Sequence, residues 1–136
     1  MDPEPPEGEP IYLDSADALE LYAAIIDGTV QQAGDHLRNR SGLESALARP
    51  RSYARYEDAD LALQAAALAH GIAESQTFID GNKRLALVAM LTFLEMNGWV
   101  VDAADAELAA WIIGLSSGTT LEHLADSIRK RLRSLR

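Results

Sequence analysis

The 136-residue chain contains no cysteine. That removes disulfide frameworks, thiolate zinc sites and cysteine nucleophiles together, and it is compatible with a reducing cytoplasm. Long apolar runs are also missing. The stretches 61–69 and 85–94 are interrupted by Gln64 and Thr92 and are too short to span a bilayer, so no membrane association is expected. The first ten residues, MDPEPPEGEP, have neither the basic nor the apolar region of a secretory signal, and the expected location is the cytoplasm. Four of the five prolines fall in those ten residues beside Asp2, Glu4, Glu7 and Glu9. Such a segment cannot build a core, and residues 1–10 are expected to be disordered. Basic residues are outnumbered, 12 against 21 acids, for a formal net charge of −9. That balance argues against a general nucleic-acid binder, which needs basic surface to neutralise phosphates.

What is present is enough for one domain, over residues 11–136, with a single core: 48% of the chain is apolar. The periodicity predicts an all-α bundle of six helices. The first starts near Asp14 or Ser15, with Ala16, Leu19, Ala23 and Ile26 along one face and Gly28 as its stop. Residues 31–40 read as a loop with room for a helical turn. Ser41 and Glu44 have capping-box spacing and predict a short helix to Ala48, ended by Pro50. Asp58 or Asp60 opens the most apolar helix, 61–73, which should be central and buried. Helix resumes over 82–96 and stops at Asn97-Gly98. An extended link, 99–101, precedes a helix capped by Asp102 or Asp105 and running to Leu115. Thr120 caps the last helix, expected to reach about Arg133. Its end gathers Arg129, Lys130, Arg131, Arg133 and Arg136, which complement the negative helix terminus as solvated cations. A basic docking patch is the less favoured reading.

The chemistry concentrates between the two most apolar helices, in residues 76–84, Q-T-F-I-D-G-N-K-R. An acid, a glycine, an amide and two cations stand at a helix N-terminus, where four backbone N–H groups have no intrahelical partner. Free N–H groups and the positive dipole end make an anion site, and Gly81 permits close approach of a phosphate. Lys83 and Arg84 add charge-assisted donors and Asn82 an amide. Asp80 suits a magnesium ion that bridges phosphate oxygens. The plainer alternative makes Asp80 an N-cap, Gly81 a turn residue, and Lys83 and Arg84 solvated cations. That alternative is less comfortable for the two cations, which oppose the helix dipole. Phe78 and Ile79 read as core anchors of the loop.

This stretch resembles the signature of the Fic/Doc family, written H-x-F-x-D/E-G/A-N-K/G-R, at eight of its nine positions. The flanks agree. Residues 41–50, S-G-L-E-S-A-L-A-R-P, resemble an upstream segment of the death-on-curing branch, as do residues 66–73 before the loop and 94–98 after it. The similarity runs from about Ile11 to Leu132. It implies a helical Fic-type fold that binds ATP over the loop and modifies a protein hydroxyl. Lys83, where nucleotidyl-transferring members have glycine, is similar to the Doc branch, which transfers the terminal phosphate. The resemblance further implies elongation factor Tu as target and an antitoxin protein as partner, one that lays a partly disordered helix into an apolar groove. By position, Asp80 would hold Mg²⁺, while Gly81, Asn82, Lys83 and Arg84 would cradle phosphates.

The departures lie at the base. Gln76 occupies the position of the family's histidine, the general base. A carboxamide orients a hydroxyl but does not take its proton near neutral pH, and general-base catalysis is worth about 10²–10⁴-fold. A weak or inactive transferase is the first expectation, and a non-catalytic Fic-fold protein that binds a nucleotide or a protein is the alternative. Glu74 stands where active Doc proteins tend to have a phosphate-binding arginine, and Leu87 where nucleotidyl-transferring members carry one. Of the three histidines, His70 is expected to be a hydrogen-bonded core residue. His36 and His123 are expected to lie on the surface in segments remote from the loop.

Overall fold

The computed structural model describes residues 9–135. The expectation of disorder over residues 1–10 therefore falls, up to residue 8, outside the described residues. The rest is dominantly helical, as the periodicity predicts. In order, the elements are α1 (Ser15–Ile25), α2 (Val30–Asp35), α3 (Arg40–Glu57), α4 (Leu61–Ser75), α5 (Asn82–Met96), β1 (Trp99–Val101), α6 (Asp105–Ser116), α7 (Leu121–Arg129) and β2 (Leu132–Ser134).

α4 is the axis of the molecule. Every residue from Ala62 to Ala69 is buried, together with Gly71 and Ile72, and α3, α5, α6 and α7 all pack against it. An all-round apolar helix has no solvent face to lose, so it sits where neighbours cover every side. Its one buried amide, Gln64, is satisfied: Oε1 accepts from the Tyr12 hydroxyl at 2.9 Å and Nε2 donates to the Ala59 carbonyl at 3.0 Å. Asp60 caps its start, accepting from the Leu63 N–H at 2.9 Å.

Four local expectations are corrected. Residues 30–35 form a short helix, α2, capped by Thr29. The start of α3 is capped by Asn39, not Ser41, through a 2.9 Å bond from the Gly42 N–H. α3 also runs through Pro50. Proline costs a helix interior about 3 kcal/mol, but α3 lies along α4 and buries Leu43, Ala46, Leu47 and Pro50 itself. A break at Pro50 would lose that contact. Gly71 marks how close the two helices come, since a Cβ there would meet the Ala46 Cα at 3.2 Å. α6 takes Ala104 as its N-cap, with no side-chain cap bond, while Asp105 and Glu107 fall in its first turn.

The last helix ends at Arg129 instead of near Arg133, because Leu132–Ser134 pairs antiparallel with Trp99–Val101. The extended link at β1 has backbone groups to satisfy, and the end of the chain supplies partners. Two further bonds lengthen the ladder, Leu135 N–H to the Gly98 carbonyl at 3.0 Å and Asp102 N–H to the Arg131 carbonyl at 2.8 Å. One residue earlier, the Asn97 side chain clasps the backbone of Ile11, accepting from its N–H and donating to its carbonyl, each at 2.9 Å. The basic end is largely consumed internally. Arg129 pairs with Asp60 and Asp126, Arg131 with Glu107, and Arg133 stands 3.9 Å from Asp102.

Candidate functional site

The loop between α4 and α5 leaves α4 through Gln76, which is exposed and left-handed with φ 48°. Thr77 and Phe78 then turn inward and are buried. Their backbone runs against the linker between α2 and α3. The Thr77 carbonyl accepts from the N–H groups of Arg38 and Asn39 at 2.7 and 3.1 Å, Leu37 and Phe78 form an antiparallel bridge, and the Ile79 N–H donates to the His36 carbonyl at 3.0 Å. This linker is the outer wall that gives the loop one shape.

Asn82 closes the loop from inside. Its Oδ1 accepts from the Thr77 hydroxyl at 3.1 Å and from the Phe78 N–H at 3.0 Å, and its Nδ2 donates to the Phe78 carbonyl at 2.9 Å. The amide expected to face a phosphate thus spends most of its capacity on the loop itself, leaving one N–H. Gly81 is the N-cap of α5 in the left-handed conformation, φ 77°, with no side-chain cap bond. A residue with a Cβ would be strained there. Asp80 does not cap the helix. It remains exposed, as do Lys83 and Arg84, and none of the three is ion-paired among the described residues. The structure therefore brings Asp80, Gly81, Lys83 and Arg84 to one helix N-terminus without a side-chain cap, while exposed Gln76 stands at the C-terminal end of α4. Its backbone N–H groups and two cations offer donors to an anion.

Two residues of this site escaped the sequence reading. Tyr22, on α1, is fully buried and stacks on Phe78 with centroids 3.9 Å apart and an interplanar angle of 10°. Its hydroxyl donates to the Asp80 carbonyl oxygen at 3.0 Å and reaches Asp80 Oδ1 at 3.4 Å. Burial first, and then the charge and hydrogen bond of Asp80, hold the phenol above its ordinary pKa, so it keeps its proton near neutrality. The available signal was the spacing of Ala18 and Tyr22, both buried, which mark a face of α1. His36 corrects the expectation of a remote surface histidine. It is half-buried, its Nδ1 lies 3.3 Å from the Tyr22 hydroxyl, and the two rings meet edge to face. Nothing in local spacing indicates this, since the approach depends on how the α2–α3 linker lies along the loop.

His70 agrees with its structural reading while being half-buried rather than fully enclosed. An Arg49 guanidinium N–H donates to its Nδ1 at 3.0 Å, and Nε2 faces the Glu74 carboxylate at 3.2 Å. Because a guanidinium only donates, the imidazole proton sits on Nε2. Both nitrogens are occupied, and Glu74 is engaged with a partner. Beyond the cations, Lys83, Arg84 and Leu87 line a cavity of about 320 Å³ with Ala109, Ile112 and Ile113 of α6.

A family model described as Fic/DOC family matches residues 12–94. That span includes Tyr22, His36 and the entire loop. The chain belongs to the Fic/DOC family. A relative, Toxin Doc of Mycolicibacterium smegmatis, is 36% identical over 99 residues, covering 71% of this chain and 72% of that protein. Within this Fic/DOC chain the matched span ends in α5, so β1, α6, α7 and β2 lie beyond it.

The donor set can be tested against the magnesium that the Fic/DOC resemblance implies. Among the described residues no group of three or more His, Asp or Glu side chains could hold a metal, so there is no all-protein cage. Asp80 is a single exposed carboxylate beside the backbone N–H groups and cations that open α5. Mg²⁺ is commonly bound through one or two carboxylates plus substrate phosphates and water. The residues therefore fit a magnesium ion that arrives with a phosphate ligand. No helix of the described chain is long and apolar enough to cross a membrane.

Proposed function

We propose that this protein is a Doc-like toxin that binds ATP with magnesium at the α4–α5 loop and transfers the terminal phosphate to a protein hydroxyl, in a form weakened by Gln76. The observation that carries the reading is the uncapped, left-handed Gly81 at the start of α5, with Asp80 on one side and unpaired Lys83 and Arg84 on the other. The name of the relative, a toxin, supports the biological role. Lys83 supports terminal-phosphate transfer in place of nucleotidyl transfer, and Leu87 agrees with it.

In this mechanism the backbone N–H groups after Gly81, together with Lys83 and Arg84, bind the phosphate chain and fix its direction. Asp80 would hold a magnesium ion, whose positive charge would offset that of the phosphates. The target hydroxyl oxygen attacks the terminal phosphorus, the bond to the bridging oxygen breaks, and ADP leaves. The Gln76 carboxamide accepts a hydrogen bond from the attacking hydroxyl and orients it, but the proton must leave to solvent or a phosphate oxygen. Phosphoryl transfer depends mostly on positioning and charge, so residual activity is compatible with this site. The target suggested by resemblance is elongation factor Tu, in the cytoplasm.

An antitoxin partner follows from the same reading. The apolar cavity between α5 and α6, with Ile113 58% exposed and two cations at its edge, suits an amphipathic helix carrying acidic residues. A second reading, a Fic-fold protein that binds nucleotide without catalysis, is favoured by Gln76 itself. Calorimetric titration of ATP with magnesium into the wild type and Asp80→Ala comes first. Magnesium-dependent binding lost in the variant is the expected result, and no binding by the wild type rejects both readings. A phosphate-transfer assay on Gln76→His then separates them: a rise of about 10²–10⁴-fold supports the weakened transferase, and binding without transfer supports the non-catalytic protein.

A further inference from the structure

We propose that Tyr22 and His36 are positioning residues for Asp80, with the His36 imidazole aligning the Tyr22 hydroxyl and the hydroxyl in turn holding the Asp80 backbone carbonyl, and through it the residue whose carboxylate meets magnesium. This rests on the reading of Asp80 given above. Three groups surround the Tyr22 oxygen: the Asp80 carbonyl at 3.0 Å, Asp80 Oδ1 at 3.4 Å and His36 Nδ1 at 3.3 Å. The hydroxyl has one proton to give. Both Asp80 oxygens can only accept, so the proton goes to Asp80, chiefly to the nearer carbonyl oxygen, and an oxygen lone pair is left facing His36. The third contact is then attractive only if Nδ1 carries the imidazole proton. With a bare Nδ1 drawing the hydroxyl proton to itself, two Asp80 oxygens would face a phenol lone pair at 3.0 and 3.4 Å. The geometry thus assigns the Nδ1–H tautomer to His36 and a single direction to the relay, from His36 through Tyr22 to Asp80.

The phenol is well placed to transmit position. Its ring is stacked on Phe78 and is fully buried, and a Cβ at position 81 would lie 3.5 Å from its Cε1. It therefore touches the loop at Phe78 and Asp80, and any side chain at position 81 would come into contact with it. Groups that hold a metal-ligating side chain from behind typically contribute about 10–100-fold to metal affinity, although they never touch the metal.

Two measurements test this, both on the whole chain. The first is the histidine side-chain ¹⁵N spectrum of the protein without ligand. His36 is expected as the Nδ1–H tautomer in the wild type, and an Nε2–H tautomer overturns the relay. The second is the apparent magnesium affinity at saturating ATP, beside ATP affinity without magnesium. Tyr22→Phe keeps the ring and removes the hydroxyl. It should weaken magnesium by about 10-fold or more while ATP alone changes by less than about 2-fold. His36→Leu should weaken magnesium in the same direction, and His36→Asn, which can place an amide N–H near the Nδ1 position, should recover it. An equal loss of ATP and magnesium affinity would mean that Tyr22 is structural only, and an unchanged magnesium affinity would reject its role outright. Should Tyr22→Phe fail to fold, the spectrum and the two His36 variants decide the matter. A wild type that binds no ATP at any magnesium concentration overturns the functional reading and this inference with it, whereas failure of the variants beside a binding wild type overturns the inference alone.

Discussion

Asn82 and Lys83 are neighbours in the loop motif, yet the structure gives them opposite kinds of work. The Asn82 side chain makes three hydrogen bonds to Thr77 and Phe78, both buried, whereas Lys83 is exposed and unpaired among the described residues. Asn82→Ala leaves a buried hydroxyl and a backbone N–H without their acceptor. That should lower stability by about 2–3 kcal/mol, measured as a lower urea midpoint, and weaken ATP binding with it. Lys83→Ala should leave the urea midpoint within about 0.5 kcal/mol and weaken only ATP binding. The sequence read Asp80, Gly81, Lys83 and Arg84 into one site because their grouping at a helix start is local. It missed Tyr22 and His36 because an aromatic and an imidazole become site residues only when α1 and the α2–α3 linker close around the loop. For Asn82, the sequence reading turned the amide toward a phosphate, and the cost of leaving buried Thr77 unpaired explains the inward choice instead.

Elements were legible in proportion to how far local chemistry determines them. α4 and α5 carried strong apolar patterns and emerged within two residues of their expected ends. α3 outran its expected end because packing against α4 outweighs one proline, and α7 fell short because β1 offered hydrogen bonds that no local pattern of residues 130–135 announces. Asp60 illustrates how caps and tertiary contacts combine. It caps α4 and accepts from Arg129 Nε at 2.7 Å and Nη2 at 3.1 Å, tying α7 to α4. The Arg129 hydrogen bonds hold its carboxyl below the ordinary carboxylate pKa, against the opposing effect of burial. A carboxyl that is more acidic folded than unfolded stabilises the fold above its unfolded value, about 4. That contribution fades as pH falls through the folded value. Asp60→Asn keeps a capping oxygen and loses the charge, and since the pair is partly exposed the loss should be under about 1 kcal/mol at pH 7. Asp60→Ala loses both, about 1–2 kcal/mol. Urea denaturation of the three proteins along a descending pH series should show the Asn penalty in full at pH 7 and shrinking as pH falls below the ordinary carboxylate value and through the folded one.

At the scale of the whole molecule, α4 organises the core and the α4–α5 loop leaves it at one end, where α1 and the α2–α3 linker hold it. The other end of α5 is fastened differently. Asn97 grips the backbone at Ile11, and the very next residue, Gly98, accepts from Leu135. The two extremes of the described chain are thereby moored to adjacent residues, far along α5 from the α4–α5 loop. Chain order and spatial order can be separated at such a place. A circular permutant that joins Leu135 to Ile11 through a short flexible linker, and opens instead at exposed Gly118 in the turn before α7, should regain the same helical circular dichroism spectrum and the same magnesium-dependent ATP binding. The loop's competence would then be seen to belong to its surroundings in space and not to its place in the order of synthesis.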